Sequence, residues 1–151
     1  MKIFSKKILS KDDLHALSTE IAEIEKKTAG ELRIVLRHHR HLAERKLSLH
    51  ELALKEFTRM GMHRTKHRSG VLIFLLISER KFQIIADEGI HSRVEDGTWD
   101  GVAAAMSSHF KGNNFKTGLS EALQTVGNIL ALHFPAAGES GNELPNDVVE
   151  E

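Results

Sequence analysis

The most apolar run of the chain is 71–77, Val-Leu-Ile-Phe-Leu-Leu-Ile. Seven residues rich in branched types are too short for a membrane span and short for a helix, and they fit a strand buried on both faces. A polar break, Ser78-Glu79-Arg80-Lys81, leads to a second β-rich run at 82–86, which ends on Asp87-Glu88-Gly89. So short a gap predicts an antiparallel hairpin. Upstream, Leu14, Leu17, Ile21 and Ile24 recur at helical spacing behind Ser10-Lys11-Asp12-Asp13. A capping side chain followed by acids starts a helix well, so an amphipathic helix is predicted over 11–27. Residues 31–39 alternate loosely around Leu32, Ile34, Val35 and Leu36 and predict a mostly buried strand, with Arg33 and Arg37 reaching out. Leu47, Leu49, Leu52, Leu54, Phe57 and Met60 lie on a stretch free of Gly and Pro. They predict a helix over 44–60 with Gly61 at its C′ position.

Past the hairpin, Glu95-Asp96-Gly97 reads as a turn, and a helix is predicted over 98–110 with Thr98 or Asp100 near its cap. Gly112-Asn113-Asn114 is a break. Leu119, Leu123, Val126, Leu130 and Phe134 give a last helix over 115–134, stopped by Pro135. Strand, helix and strand from 31 to 77 form a βαβ unit, which places its strands parallel and is right-handed by strong preference. The fold class is therefore α/β: a layered sandwich in which a mixed central sheet holds a βαβ unit and an antiparallel hairpin, with helices on the sheet faces. One domain is expected over 1–135, and 136–151 is expected as an acidic, flexible tail pinned at Leu144-Pro145.

Charge narrows the function classes. The 151 residues carry 21 Lys plus Arg against 21 Asp plus Glu, so the basic excess of a nucleic-acid binder is missing. There is no cysteine, which removes disulfides, thiolate catalysis and Cys-type zinc sites. The first residues, MKIFSKKILSKDD, lack a signal peptide's apolar core, and no run approaches the roughly 20 apolar residues of a spanning helix. A monomer in the cytoplasm is the expectation.

Topology then gathers polar groups. The starts of two parallel strands and the end of the returning one share a sheet edge, which brings Glu31, the 63–68 loop, Asp87 and Glu88 together, with Asp96 and Asp100 close behind. Carboxylates in such a group are hard oxygen ligands suited to Ca²⁺ or Mg²⁺. Thr65, Lys66 and Arg68 could hold an anion such as phosphate, and Gly89 allows close backbone approach. Against this, acids at strand ends also serve as caps and turns, and the spacing fits no EF-hand loop. His38, His39, His41, His63 and His67 form no HExxH and read as solvated; no Gly-rich phosphate loop or Gly-x-Ser-x-Gly elbow is present. Trp99 reads as core.

Several of these stretches resemble the TPM domain family, the small α/β domain of thylakoid lumen repair proteins and many bacterial proteins, also called a TPM-type phosphatase domain. The resemblance is carried by Thr28-Ala29-Gly30-Glu31-Leu32-Arg33, Thr65-Lys66-His67-Arg68-Ser69-Gly70, Arg80-Lys81-Phe82-Gln83-Ile84, Asp87-Glu88-Gly89-Ile90, Trp99-Asp100 and Gly118-Leu119. His133-Phe134-Pro135 and Asn142-Glu143-Leu144-Pro145 look like a soluble bacterial subgroup. The resemblance implies a sheet flanked by helices, a divalent-ion site and, by analogy with plant members, acid phosphatase activity. Three readings follow. In the first, a Ca²⁺- or Mg²⁺-binding module uses Asp87, Glu88, Asp96 and Asp100, with Glu31 as ligand or support, to shape a surface for a protein partner. In the second, a metal-assisted phosphomonoesterase acts on a phosphate-containing small molecule. Arg68 or Lys66 then neutralises phosphate, and Asp87 is base or nucleophile. The third is a metal-free scaffold.

Overall fold

The computed structural model describes residues 8–136 and 148–151. Its elements are α1 (Lys11–Glu25), β1 (Glu31–Arg37), α2 (Leu49–Arg59), β2 (Gly70–Leu76), β3 (Lys81–Ala86), α3 (Glu88–His91), α4 (Thr98–Lys111), α5 (Phe115–His133) and β4 (Val149–Glu150). They build one sheet in the order β3-β2-β1-β4. β1 and β2 pair in parallel from Glu31 opposite Gly70 to Arg37 opposite Leu76, and β3 returns antiparallel along β2. The βαβ unit, the hairpin and the mixed sheet are those the hydrophobic pattern predicts. Of the segment expected as a tail, 137–147, with Leu144 and Pro145, lies outside the described residues, while Val149 and Glu150 pair with Val35 and Leu36 of β1.

Alternation divides the core in two. Leu32, Ile34 and Leu36 of β1 and Val71, Ile73 and Leu75 of β2 face a cluster completed by Leu17 and Ile21 of α1, Met106 of α4, and Leu119, Leu123, Val126 and Leu130 of α5. Val35, Leu72, Phe74 and Leu76 face the other way, onto Leu52, Ala53 and Phe57 of α2. Because β2 is covered on both faces, all seven of its residues are buried, and its sequence shows no polar alternation.

Two expectations fail for one physical reason. Arg33 and Arg37 do not reach into solvent; both side chains are almost completely buried. They share the Val35 face, where α2 and its approach cover Arg37 and Glu25 at the end of α1 reaches Arg33. Arg37 pairs with Glu44 and Glu56, and Glu44 also accepts from Lys55 at 2.8 Å. Helix α2 therefore does not begin at Glu44. A short 3₁₀ turn at Leu42–Glu44 turns that carboxylate inward, and Ser48 starts α2 with a reciprocal capping box to Glu51.

Arg33 meets Glu25 at 2.5 Å and Glu31 at 3.0 Å, all with essentially buried side chains. Glu25 Oε2 also accepts the Leu32 N–H at 3.0 Å, and its Oε1 is buried without a hydrogen bond. Burial pushes the Glu25 carboxyl up to about 7, with Glu31 adding to it, against the pull of Arg33 and the Leu32 N–H. A raised folded-state pKa means that folding takes up a proton there. The stabilisation is complete below the unfolded value near 4.5 and is lost as pH rises through about 7. Urea unfolding of the native chain is expected to show stability falling across that window. Glu25→Gln, which keeps the shape and the acceptor, is expected to flatten it; an unchanged slope would refute the assignment.

Candidate functional site

The predicted sheet edge forms. Glu31 lies opposite Gly70, and the Asp87 N–H donates to the Gly70 carbonyl at 2.9 Å. The loop before β2 is held by its own polar groups, since the Thr65 hydroxyl is buried and accepts the Ser69 N–H at 3.1 Å. Arg68 stands in the left-handed region at φ 52°. From there its guanidinium grips Asp87 bidentately, Nε to Oδ2 at 2.9 Å and Nη2 to Oδ1 at 2.8 Å. Asp87 is also the N-cap of α3, Oδ1 accepting the Glu88 N–H at 2.8 Å. The bond to Asp87 pushes the Arg68 pKa further up, with the Asp87 and Glu88 charges adding to it. Gly89 sits directly under the backbone of His67 and Arg68, so its missing side chain is what lets α3 close on the loop. His67 stacks on Phe134 with ring centroids 5.8 Å apart, and Arg93 lies over the same ring at 4.7 Å.

The predicted ligands divide into two groups. Glu31 and Asp87 are buried and committed to Arg33 and Arg68. Asp96 and Asp100 instead line a shallow cavity of about 190 Å³ between the end of α3 and the start of α4, with His91, Glu95 and Trp99. Asp96 is in the turn and Asp100 in the first turn of α4, and both are exposed. Among the described residues, neither Asp96 nor Asp100 forms an ion pair, and no three His, Asp or Glu side chains converge as a ready-made cation cage. Gly97, at φ 86°, takes the N-cap position that sequence reading gave to Thr98 or Asp100. That leaves the Asp100 carboxylate uncommitted. The Thr98 hydroxyl donates to the Glu95 carbonyl at 2.7 Å and tightens the turn. Trp99 packs against the first core cluster as expected, but it is half-buried and its indole N–H is buried without a hydrogen bond. Lys66 is exposed.

The histidines do not gather. His38 is exposed and within 2.9 Å of Glu150, His67 is stacked, and Nδ1 of His63 is buried without a partner. Sequence reading missed Glu25, Glu44 and Glu56 as internal partners of the strand arginines. The sequence reading sets Glu25 outside the apolar stripe of α1, and its burial corrects this; the signal was its place four residues after Ile21, one turn further along the same side.

A fold of two helical layers around this sheet, with a polar loop edge at one end, defines a class of small layered α/β domains. A profile of the TPM domain matches residues 4–129, and the chain belongs to the TPM domain family. The BA42 protein of the psychrophilic bacterium Bizionia argentinensis, solved by NMR, is 31% identical with a TM-score of 0.85 over 97% of each chain. The N-terminal domain of a P. gingivalis protein, also solved by NMR, is 22% identical with a TM-score of 0.66, over 82% of this chain and 76% of that one. The latter likeness concerns the fold alone. No curated protein matches. Among the described residues no helix is long and apolar enough to cross a membrane.

Proposed function

We propose that this chain is a cation-responsive binding module, taking a hydrated Ca²⁺ or Mg²⁺ at the α3–α4 turn and using it to set the surface that a protein partner meets. The observation that carries this reading is the pair Asp96 and Asp100, lining one cavity with no ion pair of their own among the described residues. Two carboxylates without a cage suit an ion that keeps several waters: Mg²⁺ does so by preference, and Ca²⁺ accepts water within a flexible shell. Binding of this kind is weak, on the order of 10⁻⁴–10⁻³ M. Ion binding would draw Asp96 of the turn toward Asp100 of α4 and order the connection that follows α3.

Trp99 is the single tryptophan and lines the same cavity, so its fluorescence reports on the site directly. Titration with Ca²⁺ and Mg²⁺ is expected to change Trp99 emission and to shift amides of 91–100, saturating in the millimolar range. Asp96→Asn combined with Asp100→Asn is expected to abolish both responses while the far-UV spectrum stays unchanged. Spectra that do not move, or that move equally in the double variant, would sink the reading. In the phosphomonoesterase reading Arg68 holds phosphate while Asp87 attacks or abstracts a proton. Their bidentate contact works against it, since each would first have to release the other.

A further inference from the structure

The free edge of β1 is covered unevenly. At its start, Glu25 accepts the Leu32 N–H and occupies the place of a neighbouring strand. From Val35 onward the neighbour is β4. Only Val35 and Leu36 are paired with it, and the contact is extended by the Glu151 N–H to the Leu36 carbonyl at 2.7 Å and the His38 N–H to the Glu151 carbonyl at 3.0 Å. Side chains supply the register. Val148 packs on the first core cluster and Val149 on the second. Glu150 reaches His38 at 2.9 Å, and Glu151 pairs with Arg59 of α2. The Val148 N–H is taken by the Ser18 hydroxyl of α1 at 2.9 Å.

Each of these contacts lies at the rim. No residue from 148 to 151 is fully buried, whereas the six core strand positions of β1 and β2 on the first face lie at or near zero exposure. A strand of two residues is a marginal partner for an edge. Leaving, it would expose backbone groups of β1, the Leu36 carbonyl and the His38 N–H among them, and two shallow apolar seats, which is the template that strand addition uses.

We infer that the β1 edge from Val35 to His38 is a strand-binding slot. The chain's own 148–151 segment fills it in cis, and a partner protein fills it in trans with an extended segment that runs parallel to β1 and carries two successive β-branched residues followed by two acids. The seated segment fixes that chemistry. Successive side chains of a strand point to opposite faces, so two β-branched residues serve both core clusters at once. The two acids meet the His38 ring nitrogen and the Arg59 guanidinium, and the fixed charge of Arg59 selects an acid at the second position. The slot lies on the open edge of β1, and Asp96 and Asp100 play no part in it, so it stands or falls independently of the cation site.

The test uses the full chain. Glu151→Pro removes the N–H that bonds the Leu36 carbonyl, and Val149→Asp puts a charge into an apolar seat. Either variant is expected to undock β4, seen as faster hydrogen exchange at the His38 amide with the remaining spectrum native. A fluorescein-labelled peptide of residues 146–151 is then expected to bind the variants saturably. It should bind the native chain at least roughly tenfold more weakly, because the tethered strand competes at an effective concentration in the millimolar range. A peptide with both valines replaced by serine should not bind. A His38 amide still protected in both variants, undocked variants that ignore the peptide, or equal binding to native and variant chains would overturn the proposal. A native dimer that disappears in both variants would reassign the slot to a second copy and overturn it equally.

Discussion

Arg37→Met is expected to lower the unfolding free energy by about 3–5 kcal/mol, the usual consequence of removing one member of a buried ion-pair group. The reason is what remains behind. Arg37 lies between Glu44 and Glu56, with all three side chains at most 3% exposed. Lys55 and Arg59 reach the same carboxylates, but from the exposed side. Without Arg37, two buried carboxylates face each other with only rim cations to answer them. The pH profile distinguishes this from a simple packing loss. Burial pushes the Glu44 carboxyl up, but bonds from Arg37, Lys55 and the His41 N–H outweigh it and hold it at about 2. A depressed folded-state pKa stabilises the fold above the unfolded value near 4.5, and that stabilisation is lost as pH falls toward about 2. Urea unfolding of the variant is expected to show the loss at neutral pH and a shallower acid limb. A loss below about 1 kcal/mol, the range of exposed pairs, would show that the network adds nothing beyond surface charge.

Gly89→Ala is expected to be the other severe change. An added Cβ would stand 2.0 Å from the His67 carbonyl oxygen and 2.5 Å from that of Arg68, both backbone atoms. No rotamer relieves such a contact; either α3 or the 65–69 loop must move, and with it the Arg68–Asp87 pair. Overpacking of this kind costs about 3 kcal/mol or more, a fall in Tm of roughly 10 °C for a domain of this size. Gly101→Ala is the matched control: it lies exposed inside α4 with open space where its Cβ would go. Helix propensity there favours alanine by up to about 1 kcal/mol. Differential scanning calorimetry of the two variants should place them on opposite sides of the native chain. Equal melting temperatures would mean that α3 does not depend on close approach to the loop.

The hydrophobic pattern carried the sheet because burial on two faces leaves an unmistakable trace. β2 reads as a continuous apolar run, and the polar gap before β3 leaves room for little but a tight return. The same run did not reveal its limits: β2 ends at Leu76 rather than 77, because Ile77 opens a 3₁₀ turn closed by Arg80 in the left-handed region. Residues 44–60 look like one helix by spacing alone. Only the tertiary partner Arg37, drawing Glu44 inward, splits that stretch into a turn and a helix that begins at Ser48.

The acidic group was legible as a neighbourhood and not as a set of roles. Strand order alone places Glu31 and Asp87 at one edge. Which carboxylates stay free depends on which arginines reach them, and that is a matter of side-chain direction in three dimensions. Arg68 reaches Asp87 from a left-handed backbone that no spacing announces. Asp100 stays uncommitted because Gly97, with its positive φ, starts α4 instead.

By itself, then, the sequence determined the α/β class, the parallel βαβ unit, the hairpin and the helical cover, since each follows from local periodicity and from the requirement to bury apolar faces. The tertiary structure alone decided that Arg33 and Arg37 are internal, that Asp87 is a cap and an ion-pair partner, and that Val149 and Glu150 complete the sheet. Those outcomes turn on charges brought together from distant parts of the chain, where the desolvation of each group is met or left unmet only once its partner is in place.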